Sequence, residues 1–246
     1  TDLGERRPAL KPQAAAAAVI HLETPVLNES ELVAISQQGL PVTTLSTQVA
    51  VQACTGGLKA SLDALCQAAE KAVRDGAQVL VLSDRVDASG AAAHLNATTA
   101  AMPALLAVGA VHHHLLRQKL RLRCSLVADT AQCWSTHHIA CLIGYGASAV
   151  CPWLTWETTR HWLEHPKTRK RIDQGKLPSL DAERVQANVR ISLENGLRKI
   201  LSKIGISLLA SYHGAQIFEA IGLGADVIDI AFTGTTSRVA GMTLVE

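Results

Sequence analysis

Residues 72–86 read AVRDGAQVLVLSDRV, and the change of pattern along them decides the fold. Just before and into this stretch, Leu58, Leu62, Leu65, Cys66, Ala69 and Val73 recur three and four apart, which places them on one face of a helix over 58–75. Asp75-Gly76 ends that helix, because glycine accepts the left-handed turn at a helix C-terminus. Gln78-Val-Leu-Val-Leu-Ser83 then runs apolar without alternation, the pattern of a strand buried on both faces in a parallel sheet. The strand ends abruptly in polar residues, Ser83-Asp84-Arg85.

The same alternation repeats outward from this point. Asn28 or Ser30 caps a short helix through Gln38, which Gly39-Leu40-Pro41 stops, and Val42 to Thr47 reads as a strand. Further on, a helix over 103–119 with proline in its first turn leads to a strand over 122–128. The reading continues with a helix over 133–143, a strand over 147–151, a helix over 155–164 and a long helix over 181–203. A strand over 206–210, a helix over 213–221 and a strand over 226–230 complete it. Strands without alternation, each followed by a helix, predict an α/β fold of parallel strands alternating with helices. A degenerate or incomplete β/α-barrel-like domain fits, and an open doubly wound sheet is the other architecture with this pattern. Strand starts at 78, 122 and 147 are too irregular for a solenoid. Residues 1–18 carry charges, two prolines and the run Ala14 to Ala18, so they read as a linker or tail ahead of a folded domain over 19–246. Thr1 at one end and the apolar run Met242 to Val245 at the other read as cut edges of a longer polypeptide.

Composition removes several function classes. A net charge of +2 over 246 residues is too small for a phosphate-binding surface or a polybasic membrane patch, and 3% aromatic residues leave few platforms for stacking bases. Nucleic acid is therefore not an expected partner. The longest apolar stretches, 14–20 and 104–111, fall well short of a bilayer span, so no membrane is expected. The cysteines at 54, 66, 124, 133, 141 and 151 form no CxxC pair and read as reduced core thiols, which suits the cytoplasm or a plastid stroma.

In either α/β architecture chemistry gathers at the C-terminal ends of the strands. The polar candidates there are Asp84, Asp129, Thr130, Gln132, His213 and Arg238. Asp129-Thr130 with Gln132, Ser135 and Thr136 suits an anion or polar ligand at a helix start, and equally a helix cap in which Asp129 or Thr130 accepts the unpaired backbone donors. Thr233-Gly-Thr-Thr-Ser237-Arg238 reads as an anion nest or a turn. His112-His113-His114 is a poor metal site, since consecutive helical residues point about 100° apart. Cys133, His137 and Cys141 have converging spacing but lack a fourth ligand. Gly144-Tyr-Gly146 comes after a helix and before a strand, the reverse of the dinucleotide fingerprint, and reads as a helix stop; Gly56-Gly57 reads as a turn. Lys167, Arg169, Lys170, Arg171 and Lys176 form the one dense basic run, a solvated segment or a surface for an acidic partner. There is no GxSxG elbow, HExxH or P-loop, so no catalytic, cofactor or metal residue is assigned.

Long segments nevertheless carry a resemblance. They are residues 72–86, MPALLAVGAVHHHLLRQKLRLRCSLVAD from Met102, THHIACLIGYGASAVCPWL from Thr136, GLRKILSKIGISLLASYHGAQIFEAIGLGADVID from Gly196 and FTGTTSR from Phe232. From about His21 to Gly241 the chain resembles the central domain of glutamate synthase large subunits, and Asp129 to His138 is most similar to the ferredoxin-dependent, cyanobacterial and plastid type. Ile139 and Ile204 stand where the family usually has Phe and Met, apolar exchanges that bear on packing. The resemblance implies an enzyme that frees ammonia from glutamine, passes it through an internal tunnel, and reduces its adduct with 2-oxoglutarate to glutamate using FMN and an iron–sulfur cluster fed by ferredoxin. It places the nucleophile, the FMN loops and the cluster outside this sequence, so no cofactor is expected in the fragment itself. The central domain would be a degenerate relative of the flavin barrel that spaces the amidotransferase and FMN domains and walls the ammonia path, with those domains as its partners. Two other readings stand beside it: a free-standing β/α-barrel enzyme using Asp84, Asp129, His213 and Arg238, and a ferredoxin-docking module using the basic run 167–176.

Overall fold

The computed structural model describes residues 1–6, 19–51 and 57–244. Two short strands, β1 (Asp2–Leu3) and β2 (Ile20–His21), pair antiparallel and bury Leu3. Residues 7–18, most of the expected linker, lie outside the described residues, as do Cys54 and Gly56. Helix α1 (Glu29–Gln37) starts in a reciprocal cap: Asn28 Oδ1 accepts the Glu31 amide and Glu31 Oε2 accepts the Asn28 amide, both at 2.8 Å.

The sheet is built next. Strand β3 (Val42–Ser46) is followed by β4 (Gln48–Ala50), α2 (Gly57–Arg74), β5 (Val79–Ser83), β6 (Thr99–Ala101) and α3 (Ala104–Arg117). After these come β7 (Ser125–Asp129), α4 (Thr136–Gly144), β8 (Ala149–Cys151), α5 (Trp153–Glu164), α6 (Pro166–Asp173) and α7 (Ala182–Ile204). β3, β5, β7 and β8 form a parallel sheet in that order, and β4 and β6 make a separate antiparallel ribbon. Sequential order means that every crossover steps the same way, so α2, α3 and α4 fall on one side of the sheet. Leu80, Leu82, Leu126 and Val150 meet Leu62, Leu65, Val108, Val111, Ile139 and Ile143 there. On the other side Val79, Val81, Val127 and Ala149 are covered by Leu3, Ile20, Leu27 and Ile35. This is the winding of one side of a β/α barrel, left open at four strands, and it sets aside the doubly wound alternative. No helix among the described residues is long and apolar enough to cross a membrane.

The final third departs from expectation. In place of a strand over 206–210, a helix over 213–221 and a strand over 226–230 stand a short turn (Leu209–Tyr212), β9 (Glu219–Leu223), α8 (Ala225–Ala231) and β10 (Thr236–Met242). The run Val227-Ile-Asp-Ile looks like a strand locally, but burying Val227, Ile228 and Ala231 against α3 requires helical spacing. Gly109 of α3 makes that contact possible: a Cβ there would stand 2.3 Å from the Ala231 carbonyl oxygen. Gly109→Ala should therefore destabilise by about 1–3 kcal/mol in a denaturant titration, through displacement of α8. The strand expected over 122–128 begins only at Ser125, because Arg121–Arg123 coil into a single turn. Arg121 closes that turn, donating to His112 Nδ1 at 2.9 Å, the Cys124 carbonyl at 2.6 Å and the Gly146 carbonyl at 2.7 Å.

Candidate functional site at the strand ends

Ser83 and Asp129 are paired in register, so the C-terminal ends of β5 and β7 lie side by side. Buried Asp129 accepts from Ser83 Oγ at 2.6 Å, Arg85 Nε at 3.1 Å and Arg85 Nη2 at 3.0 Å. Burial pushes the Asp129 carboxyl up, opposed by the Arg85 and Ser83 donors, while for Arg85 the bonds to Asp129 outweigh burial and hold its pKa up. Asp84, also buried, accepts from Trp153 Nε1 at 2.6 Å, Thr130 Oγ1 at 2.9 Å and the Ala131 amide at 2.8 Å. Gln132 joins the β7 loop to the start of α3, accepting from the Ala104 amide at 2.9 Å and donating to the Met102 carbonyl at 2.8 Å. The helix cap expected from Asp129 or Thr130 is made instead by Ser135, whose hydroxyl accepts the His138 amide at 3.3 Å.

A cleft of about 730 Å³ opens over these groups, between α1, β3, the loop at 92–95 and α5. Arg85 faces it with its side chain 35% exposed and its guanidinium carbon 5.7 Å from the Trp153 ring. Every oxygen of both carboxylates is engaged by a donor from the chain itself. The cluster thus serves as a knot tying β5, β7 and α5 together, with one partly open cation on its surface. Asp84→Ala, which strands three donors at once, should lower stability by about 2–4 kcal/mol in a urea titration, and Asp84→Asn by less.

The other expected residues lie apart from this knot. His213 Nε2 sits 3.1 Å from the Ala147 carbonyl, at the opposite end of the sheet, and exposed Arg238 of β10 pairs with Glu219 at 3.4 Å. Asp84, Asp129, His213 and Arg238 do not converge, and among the described residues the sheet is not closed, which counts against the free-standing barrel enzyme. The three consecutive histidines point apart as their spacing requires: His112 to Arg121, His114 to Glu70 at 2.8 Å, with His113 edge-on to the His112 ring. His137 Nε2 is 3.5 Å from Cys141 Sγ, but the described residues contain no group of three side chains able to hold a metal. Gly146 is a packing requirement as well as a stop: its φ is +119° and a Cβ would meet the His112 ring at 2.3 Å. The basic run lies on exposed α6 and its end, and none of its five cations forms an ion pair among the described residues. Trp153 was not among the expected groups, and Arg85 was noted only as part of the strand end Ser83-Asp84-Arg85. The signal for both was the same, a polar or aromatic residue two positions past the end of an apolar strand.

Fold and site together define an α/β domain wound like part of a β/α barrel, in which the polar strand-end groups bind one another. The family model described as the glutamate synthase central domain matches residues 1–224, and the chain belongs to that family. It is 47% identical over 245 residues to a ferredoxin-dependent glutamate synthase of Pyropia yezoensis, covering 100% of this chain and 16% of that protein. Against ferredoxin-dependent glutamate synthase 2 of Synechocystis sp. the identity is 52%, covering 99% of this chain and 15% of that protein. Against the chloroplastic/mitochondrial ferredoxin-dependent glutamate synthase 1 of Arabidopsis thaliana it is 49%, covering 100% and 15%. The chain thus spans under a fifth of the length of these relatives. Among solved structures, the flavin-binding domain of baker's yeast flavocytochrome b2 matches at 11% identity and a TM-score of 0.45, covering 82% of this chain and 42% of that one. A likeness that weak fixes no chemistry.

Proposed function

We propose that the chain is the connecting domain of a ferredoxin-dependent glutamate synthase, holding an amidotransferase domain and an FMN domain at a set spacing and walling part of the ammonia path between them. The observation that carries this reading is the knot at the strand ends: where a barrel enzyme of this winding keeps reactive groups open, Asp129 is spent on Arg85 and Ser83, and Asp84 on Trp153, Thr130 and the Ala131 amide. A spacer needs that rigidity, and a closed path needs packed walls, because ammonia that reaches water is protonated and lost. FMN, the iron–sulfur cluster and ferredoxin belong in this reading to the rest of the polypeptide, which works in the cytoplasm or a plastid stroma. The expected tail over 1–18 would then lead into the domain over 19–246 while its first strand, β1, packs onto that domain through Leu3.

The test is direct. The isolated chain should neither hydrolyse glutamine nor retain FMN at one per chain after gel filtration, and either result would overturn the proposal. In the full-length enzyme, Asp84→Ala should lower glutamate formed per glutamine consumed, with the shortfall appearing as free ammonia. An unchanged ratio in a correctly folded variant would remove the domain from the ammonia path.

A further inference from the structure

Strands β9 and β10 pair parallel and, among the described residues, have no other neighbour. Parallel strands are normally covered on both faces, and a sheet of two is marginal alone in water. Here all seven residues of β10 are exposed, with Ile221 at 74%, Val239 at 55% and Met242 at 67% exposure. Ile221 and Val239 are cross-strand partners, so they present one apolar patch.

The ribbon is nonetheless held rigidly. Between its strands α8 and the Phe232 that ends it bury Val227, Ile228, Ala231 and Phe232 in the main core. Ala220 and Leu223 of β9 pack against the same core, and the Gly224 amide donates to the Met242 carbonyl at 2.7 Å. Leu244 returns to the interior, its amide donating to Asp226 Oδ2 at 2.9 Å. At Gly241 a Cβ would lie 2.5 Å from the Gly222 carbonyl oxygen, so the strands touch closely. A fixed ribbon with open edges and an apolar pair is a template for an added strand.

We infer that an extended segment from elsewhere in the longer polypeptide pairs with the β9–β10 ribbon and covers Ile221 and Val239. This rests on the reading of the chain as one domain of a larger protein. Two observations favour that occupant. The Pyropia yezoensis relative matches this region yet is about six times longer, so chain is available to supply the strand. The match to the family model ends at residue 224, between β9 and α8, so β10 lies beyond it in a stretch that the longer relative still matches. The incoming strand carries apolar side chains opposite Ile221 and Val239.

The experiment is hydrogen exchange with mass spectrometry on peptides covering 236–242, in the full-length enzyme and in this chain alone. Protection in the full-length enzyme should exceed that in the isolated chain by at least about 100-fold. The double variant Ile221→Glu/Val239→Glu should leave the melting temperature of the isolated chain unchanged while removing at least about tenfold of the protection in the full-length enzyme. Equal exchange in both proteins, or protection that survives the double variant, overturns the inference. So does protection that arises in the isolated chain as its concentration rises, since the occupant would then be a second copy. None of these outcomes depends on glutamine turnover, so the proposed function fails or stands separately.

Discussion

Replacing Arg121 with alanine is expected to cost about 3–5 kcal/mol of stability. The guanidinium sits between the turn that opens β7, the end of α4 and the imidazole of His112, and it donates to an acceptor in each. Removing it leaves His112 Nδ1 and the carbonyls of Cys124 and Gly146 unpaired, together with the space the side chain filled. For a chain of this size that loss corresponds to roughly 10 °C in Tm, readable by calorimetry. A shift under about 2 °C would mean that water substitutes for the guanidinium at all three acceptors. Arg121→Lys should recover only part of the loss, since an ammonium cannot span three acceptors with the geometry of a planar fork.

The second large effect is acid sensitivity. Burial holds His112 down to about 2 and His213 down to about 4, from an ordinary 6.5, with Arg121 beside both. Arg6 adds to the effect on His213, and His113 and His213 add to that on His112. Both side chains are neutral in the folded chain and protonate near 6.5 once unfolded, so below that pH the unfolded state binds more protons. Stability is therefore complete above about pH 6.5 and falls as the pH drops, by about 1.4 kcal/mol per unit for each histidine. Between pH 7 and pH 5 the two together should remove about 4 kcal/mol, visible as a falling urea midpoint. Arg121→Ala should flatten this slope somewhat, because it removes the neighbouring cation that adds to burial in keeping His112 neutral. A midpoint that does not move between pH 7 and pH 5 would show that both rings reach water.

These two effects share a location, the end of the sheet opposite the strand-end knot. At one end Arg85, Asp84 and Asp129 lock β5, β7 and α5, and at the other Arg121, His112 and His213 lock α3, α4 and the turn at 209–212. A parallel sheet of four strands with open edges has no barrel closure to keep its strands in place. Polar clamps at both ends supply part of that restraint. The proposed role as a spacer would call for that restraint.

The main strand-and-helix order through residue 204 was legible in the sequence because each of those elements carries its own signal, whereas α6, the β4–β6 ribbon and the β1–β2 pair were not foreseen. The helix over 58–75 has its apolar stripe, Gln78 to Ser83 its unbroken apolar run, and Asp181 its capping side chain, which accepts the Arg184 amide at 2.7 Å. Asp84 and Asp129 could be named as strand-end groups for the same reason, but their mutual engagement through Arg85, Thr130 and Trp153 could not. Those partners are up to 69 positions apart and meet only when β5, β7 and α5 are placed together. His213 and Arg238 were assigned to strand ends that do not exist, since the segment holding them folds according to what α3 accepts.

The local sequence by itself determined that the chain forms buried parallel strands joined by amphipathic helices, because periodicity and helix stops act over a few residues. Only tertiary structure decided that the winding stays open at four strands, that Val227 to Ile230 coil instead of extending, and that the polar strand ends close upon themselves. The reason is physical: a run of apolar residues is satisfied by any dry surface, and which surface is offered, here α3 with Gly109 cleared for contact, depends on distant parts of the chain.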